Sequence, residues 1–256
     1  MTSTTTAVGI DIGGTGIKGA IVDLATGTLV TERIKVPTPA GGSPEGILEV
    51  TAQLIDRLGL PHPDIPVGVC FPAVVKHGVT LSAANISKEW IGLEAEALFE
   101  ETLKRDITFV NDADAAGYAE AQFGAAKGIE GVALMTTLGT GIGTAILHNG
   151  VLVPNAEFGH IEIDGVDAET RASNAARERE GLSWKDWSKR LQTYYSRLEM
   201  YFSPDLFVVG GGVSKHHEQF LPRLTLTTPI VPAVHRNNAG ILGAASLAVR
   251  TIPPLS

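Results

Sequence analysis

The chain has 256 residues, 44% apolar and 19% charged, and a formal net charge of −8. That balance describes an ordinary folded globular protein and excludes a broadly basic, nucleic-acid-binding surface. A single cysteine, Cys70, excludes an intramolecular disulfide framework and any cysteine-rich zinc module.

Met1 to Thr6 carries neither a basic n-region nor an apolar h-region, so no signal peptide is expected there; the expected compartment is the cytoplasm, with no membrane partner. Ala7 to Ile12 and Ile17 to Val22 are β-formers on either side of Gly13-Gly14-Thr15-Gly16, which predicts a hairpin. Thr28 to Val36 reads as a third strand ending at Pro37. Ser43-Pro44-Glu45 supplies an N-cap, an N1 proline and an early acid for a helix whose stripe, Ile47, Val50, Leu54 and Leu58, stops at Gly59.

Ile65 to Phe71 predicts a buried strand, Leu81 to Asn85 lies in a polar loop ending near Trp90, and Leu93 to Leu103 looks helical. Asp106 to Val110 is again a strand, delivering Asn111 and Asp112 at its C-terminal end, where α/β folds place ligands. A helix opens at Asp112, and its N-terminus favours anions. Gly131 to Leu147 is uncharged, but its shortness and its Gly and Thr content favour a buried hairpin over a membrane span. Asn155 to His160 is a polar cluster without period. From Ser183 a long amphipathic helix carries Trp184, Trp187, Leu191, Tyr194, Leu198 and Tyr201 as core residues. Leu206 to Val209 is a strand running into three glycines, and Asn238 to Val249 a last, Ala-rich helix.

Gly14 to Ile21 and Gly139 to Ile146 align as GTGIKGAI over GTGIGTAI, identical at six of eight positions. Two copies of one turn suggest two copies of one fold. Glycine permits positive φ and lets backbone N–H groups approach a ligand, and successive N–H groups form a nest that attracts phosphate oxygens. The first copy has Asp11 and Lys18 where the second has Thr136 and Gly143, so only the first supplies charges of both signs.

Five runs stand in order along nearly the whole chain: Asp11 to Lys18, Val110-Asn111-Asp112-Ala113, Leu138 to Gly143, Glu157-Phe158-Gly159-His160, and Val209 to Ser214. They resemble the motifs of the ROK family (repressor, open reading frame, kinase) of the actin/hexokinase/Hsp70 superfold. ROK proteins commonly carry a zinc motif of one histidine and three cysteines just beyond the Gly-His pair; Ile161 to Arg179 has no cysteine. That difference, with Asp167-Ala168-Glu169, Arg177-Glu178-Arg179 and Gly181 to Trp184, is similar to the polyphosphate-dependent glucokinase and glucomannokinase subgroup.

The resemblance implies an α/β, two-domain actin-like (ribonuclease H-like) fold with an interdomain cleft that closes on sugar. The smaller domain would be residues 1–110 with 239–256, the larger 111–238. It implies phosphoryl transfer from polyphosphate, with ATP as the alternative donor, to the 6-hydroxyl of glucose, with mannose as an alternative acceptor. Asp112 is implied as general base, with Asp114 as a first-turn helix acid. Asn85, Asn111, Asp112, Glu157, His160 and Glu169 are implied as hexose ligands. Gly13, Gly14, Thr15, Gly16, Lys18, Gly139, Thr140 and Gly141 would cradle donor phosphates, and Gly210, Gly211 and Gly212 would lie on the nucleotide side. Asp11 would hold Mg²⁺, through water; no zinc is expected.

Each residue has a plainer alternative: a solvated lysine for Lys18, a turn-bonding aspartate for Asp11, a structural histidine for His160. A basic track for polyphosphate would draw on Lys127, Lys185, Lys189, Arg190, Lys215, His216 and His217, which are otherwise solvated faces. Two other classes compete. A ROK regulator would carry a helix-turn-helix before the first strand, for which too few residues precede Val8. A sugar-binding or Hsp70-like ATPase scaffold without transfer is disfavoured by Asp112 together with the hexose set. A homodimer and no nucleic-acid partner are expected.

Overall fold

The computed structural model describes residues 6–249. The signal-peptide expectation at residues 1–5 and the tail of the smaller domain at 250–256 lie outside the described residues. Strands β1 (Thr6–Gly13) and β2 (Gly16–Asp23) form the predicted hairpin, with Asp11 opposite Lys18 and Gly13 opposite Gly16. The single strand expected over Thr28–Val36 is instead two, β3 (Thr28–Leu29) and β4 (Ile34–Val36), both paired to β2. Val22 faces Leu29 but Gly19 faces Ile34, so the sum of paired numbers changes from 51 to 53 and two extra residues bulge out. Ile21 serves that bulge, donating its N–H to Thr31 Oγ1 (3.1 Å) and accepting from Val30 N–H (2.7 Å).

Helix α1 (Pro44–Leu58) has the expected ends: Ser43 Oγ accepts from Gly46 N–H, and Gly59 caps the C-terminus at φ 59°. Then follow β5 (Val67–Phe71), a small hairpin β6 (Val75–Lys76) and β7 (Val79–Thr80), α2 (Ala95–Leu103), β8 (Thr108–Asn111) and α3 (Asp112–Phe123). The first sheet has the order β3-β2-β1-β5-β8, with β1, β5 and β8 parallel. β5 is buried at every position, as a central parallel strand must be.

The second half brings β9 (Val132–Leu138), β10 (Ile142–His148), β11 (Val151–Val153), β12 (Glu162–Ile163), β13 (Val166–Asp167), α4 (Glu169–Ala172), α5 (Asn174–Arg179), α6 (Trp184–Phe202), β14 (Leu206–Gly210), β15 (Ile230–Pro232) and α7 (Ala239–Ala248). Its main sheet runs β11-β10-β9-β14-β15, the same order as the first, again with an antiparallel hairpin followed by parallel strands. The repeat read from two turns therefore extends to the topology. The turns themselves differ in register, because Gly13 faces Gly16 across two residues whereas Leu138 faces Ile142 across three.

On α6 the buried stripe holds Trp187, Leu191, Tyr194, Tyr195 and Leu198, but Tyr201, expected in the core, is 54% exposed. From Leu198 the stripe continues at i+4 to Phe202, whose ring lies 4.5 Å from that of Phe158, and this turns Tyr201 outward. Among the described residues no helix is long and apolar enough to cross a membrane.

The chain divides into two compact units, one running to Ala119 and resuming at Asn238, the other Glu120–Asn237. Within the first, α7 lies directly on the backbone of β1 and β5. A Cβ on Gly9 would stand 1.9 Å from Ile241 O, one on Gly68 1.9 Å from Ala244 O, and one on Gly243 1.7 Å from Ala115 O. Gly243→Ala is expected to lower unfolding stability by about 1–3 kcal/mol, because backbone rather than a flexible side chain must yield. Gly212→Ala, where a Cβ meets nothing within 4 Å, serves as the control; urea melts of the two variants check the difference.

Candidate active site

In the first unit, pairing of Asp11 with Lys18 across the hairpin sets Lys18 Nζ 2.7 Å from Asp11 Oδ2, with both side chains largely covered. Asp11 Oδ1 has the Cys70 thiol at 3.9 Å. Burial raises the Cys70 pKa well above the ordinary thiol value, with Asp11 and Asp112 adding to the rise, so the thiol stays protonated. None of Gly13, Gly14 and Gly16 occupies the left-handed region, so positive φ is not why they are glycines. Space is the reason at Gly14, where a Cβ would come within 2.5 Å of Asn85 O.

Asn85 adopts φ 61°, which asparagine tolerates better than most residues. Its loop is anchored by fully buried Trp90, which donates from Nε1 to Gly42 O at 2.9 Å. The fold thus seats one expected hexose ligand against the expected phosphate turn. At the end of β8, buried Asn111 donates from Nδ2 to Ala73 O (2.9 Å) and accepts at Oδ1 from Asp114 N–H (3.0 Å). It caps α3 and presents Asp112 as that helix's first residue, while Asp114 is buried beneath.

In the second unit, the Glu157–His160 turn is fastened to β10. Thr144 Oγ1 accepts from Phe158 N–H (3.0 Å) and donates to Ala156 O, and a Cβ on Gly159 would lie 2.1 Å from Ile142 O. Burial raises the Glu157 pKa above the usual carboxylate value, opposed by His160. His160 Nδ1 is 2.8 Å from Asp167 Oδ2, and that bond is the main cause of its raised pKa; Glu169, Asp167 and Glu157 contribute further through their charge.

Glu169 stands between the histidine cluster and the second glycine turn. Its Oε2 accepts from Ile142 N–H at 3.0 Å and would be 2.3 Å from a Cβ on Gly141. Gly139 N–H bonds Gly141 O and Gly139 O accepts from Ala175 N–H, while the space above Gly139 is open and Thr140 is exposed. The third turn rests on the second: Gly211, at φ 81°, would place a Cβ 2.4 Å from Leu138 O.

The ROK family model matches residues 7–182. The chain belongs to the ROK family. It is 44% identical over 242 residues, 94% of this chain and 90% of the relative, to polyphosphate glucokinase from Mycobacterium tuberculosis (strain CDC 1551 / Oshkosh). Among solved structures it is similar to the inorganic polyphosphate/ATP-glucomannokinase of Arthrobacter sp. strain KM, with a TM-score of 0.90, 54% identity, and coverage of 95% of this chain and 98% of that one. A ROK glucokinase from Streptomyces griseus, in complex with glucose and AMPPNP, shares the fold at a TM-score of 0.80 and 24% identity, covering 94% of this chain and 98% of that one.

Asp167, quoted from the sequence only as part of a family-like run, was not expected to meet His160. Asp164-Gly165, both at positive φ (53° and 75°), make the two-residue turn that folds β13 back on β12 with Glu162 opposite Asp167. The Asp-Gly signature between Ile163 and Val166 signals that hairpin, and hence the return of Asp167 to His160. His160, Asp167 and Glu169 bring ligand atoms within 4.8 Å of one another. Both Asp167 oxygens are engaged, by His160 and by Glu169 N–H (3.0 Å), so the cluster is a hydrogen-bonded relay.

Several expected members of the polyphosphate track are occupied elsewhere. Lys189 pairs with Asp186, and Arg190 with Glu180 and Arg171 O. Arg177, which was not among them, stacks 4.2 Å over the Trp184 ring, and the His216 ring centroid lies 5.6 Å from that of Trp184. Lys215 and His216 are exposed.

For Mg²⁺ the donor set fits: Asp11 Oδ1 is a hard carboxylate oxygen with a weak thiol donor 3.9 Å away, suited to a cation that keeps its waters and shares donor phosphates. Asn111→Ala is expected to cost about 2 kcal/mol of stability, through loss of the α3 cap and an unpaired Ala73 carbonyl. Chemical denaturation measures it.

Proposed function

We propose that this protein transfers the terminal phosphoryl group of inorganic polyphosphate to the 6-hydroxyl of glucose, with ATP as a second donor and mannose as a second acceptor. Likeness over 94% of the chain to a protein named polyphosphate glucokinase supports the reaction. The observation that carries its chemistry is the strand end at Asn111-Asp112, where a side chain bonded at both its ends holds one carboxylate at the start of a helix.

Asp112 is the general base. It takes the hydroxyl proton as the sugar oxygen bonds to phosphorus and the bond to the remaining phosphate chain breaks, so the carboxyl ends protonated and the shortened polyphosphate leaves as an anion. In a loose transition state attack leads proton transfer, so a carboxylate of ordinary basicity suffices. Lys18, held by Asp11, supplies positive charge to the donor, and the Gly13–Gly16 and Gly139–Gly141 turns supply backbone donors. Asp11 would hold Mg²⁺, whose charge would offset that of the donor phosphates. Asn85, Asn111, Glu157, His160 and Glu169 serve as hexose ligands, each hydrogen bond costly to lose once the sugar has shed its water. Gly210–Gly212 serves the nucleotide when ATP is the donor.

Asp112→Asn is expected to lower kcat by about 10²–10⁴ in a coupled glucose 6-phosphate assay. Turnover near wild type would remove Asp112 from the role. The same assay run with polyphosphate and with ATP, on glucose and on mannose, ranks donors and acceptors; activity with ATP and none with polyphosphate would overturn the donor assignment. The reading also includes a homodimer without a nucleic-acid partner, for which light scattering giving a monomer mass would be the contrary result.

A further inference from the structure

We propose that Asp167 is a positioning residue for hexose binding, which orients His160 and selects the ring nitrogen it offers to the sugar. The inference rests on the reading of His160 as a hexose ligand. Asp167 reaches that place through tertiary structure alone: the Asp164-Gly165 turn returns the chain antiparallel to β12, and Ala168 N–H to Ile161 O (3.0 Å) extends the ladder one pair further. The next pair in that register would be His160 and Glu169, so Asp167 reaches His160 from a diagonal position.

The two Asp167 oxygens do separate jobs. Oδ1 accepts from Glu169 N–H at 3.0 Å, fixing the start of α4, and Oδ2 meets His160 Nδ1 at 2.8 Å. Glu169 in turn accepts from Ile142 N–H, and Trp187 Nε1 donates to Ala172 O, so α4 is tied both to the second glycine turn and to the core. The histidine side chain is 54% exposed, and without Asp167 nothing in this chain of bonds would hold its ring. A carboxylate can only accept, so Nδ1 must carry hydrogen. The neutral ring then presents Nε2 as an acceptor for a sugar hydroxyl, and the protonated ring presents it as a donor. The charged groups facing the ring are Asp167, Glu169 and Glu157, all of which favour its protonation.

Asp167→Asn separates positioning from architecture. Its amide oxygen can still accept from Glu169 N–H, but its NH₂ replaces the oxygen facing His160 and demands an unprotonated Nδ1. The neutral ring then carries its hydrogen on Nε2 and offers the sugar the opposite polarity. The expected result is a glucose KM raised about tenfold, the equivalent of one lost hydrogen bond, with kcat and polyphosphate KM within about twofold of wild type. In ¹⁵N-edited spectra the wild-type His160 ring should be protonated at Nδ1 and titrate above the ordinary histidine value; the variant should be protonated at Nε2 and titrate lower.

His160→Gln assigns the resonances and tests the parent reading. If it leaves glucose KM unchanged, His160 is not a hexose ligand and the proposal falls with that reading. If it raises glucose KM while Asp167→Asn does not, the hexose role stands and the role of Asp167 is overturned. Should the Asn variant fail to fold, the wild-type tautomer decides: hydrogen on Nδ1 supports the proposal, hydrogen on Nε2 alone ends it.

Discussion

Backbone in contact with backbone, made possible where glycine leaves out a Cβ, is the constraint on which both units depend. In the first, the carbonyls of α7 sit on Gly9 and Gly68, and Gly243 gives Ala115 the same access. That contact leaves no layer of side chains between helix and sheet, and it places Gly240 against Asp11 and Cys70. Asp11, the carboxylate proposed for the metal, therefore rests on a helix from the other end of the chain. In the second unit Gly159 on Ile142 and Gly211 on Leu138 set two candidate turns against the hairpin that ends in the third. Interiors this close have little room to relax, which makes the positions of the turns well defined.

The two glycine-rich hairpins share sequence and sheet position but not chemistry. The first closes over two residues and carries an ion pair on its flanking strands. The second closes over three and receives a carboxylate, Glu169, on one of its own N–H groups. A backbone nest does not stay empty of partners when an acid is within reach, since an unpaired N–H is costly. Glu169 thereby connects the second glycine turn with the histidine cluster, and the hexose role proposed for it would be a second demand on the same side chain.

That connection also bears on the absence of cysteines beyond the Gly-His pair. A histidine held by one carboxylate needs fewer residues around it than one held in a cysteine-rich site, and here a two-strand hairpin with an Asp-Gly turn supplies the carboxylate. Because Nδ1 faces Asp167 with its hydrogen in both states of the ring, protonation changes what Nε2 offers and leaves the ring held as before.

Most of the architecture was legible in the residues themselves. Ser43-Pro44 and Gly59 mark the ends of α1 because caps and left-handed termini depend on local chemistry. The GTG repeat announced two hairpins, and the ROK motifs in order announced the fold. The break between β3 and β4 was not legible, since a run of β-formers says nothing about the register of its partner. Nor was the outward face of Tyr201, set by where Phe158 waits for Phe202.

Among the site residues, Asp11 and Lys18 were legible as charges flanking the first turn, but their pairing came from a two-residue closure that the near-identical second turn does not share. Three facts did not follow: that Asn111 is bonded at both ends of its amide, that Gly14 is glycine to admit Asn85, and that Asp167 closes on His160. Local propensity and motif order are properties of neighbours in sequence, and they determined the elements, the family and the candidate residues. Which oxygen meets which nitrogen was decided by tertiary structure, because only there do β10, the β12–β13 hairpin and α4 come within hydrogen-bond distance.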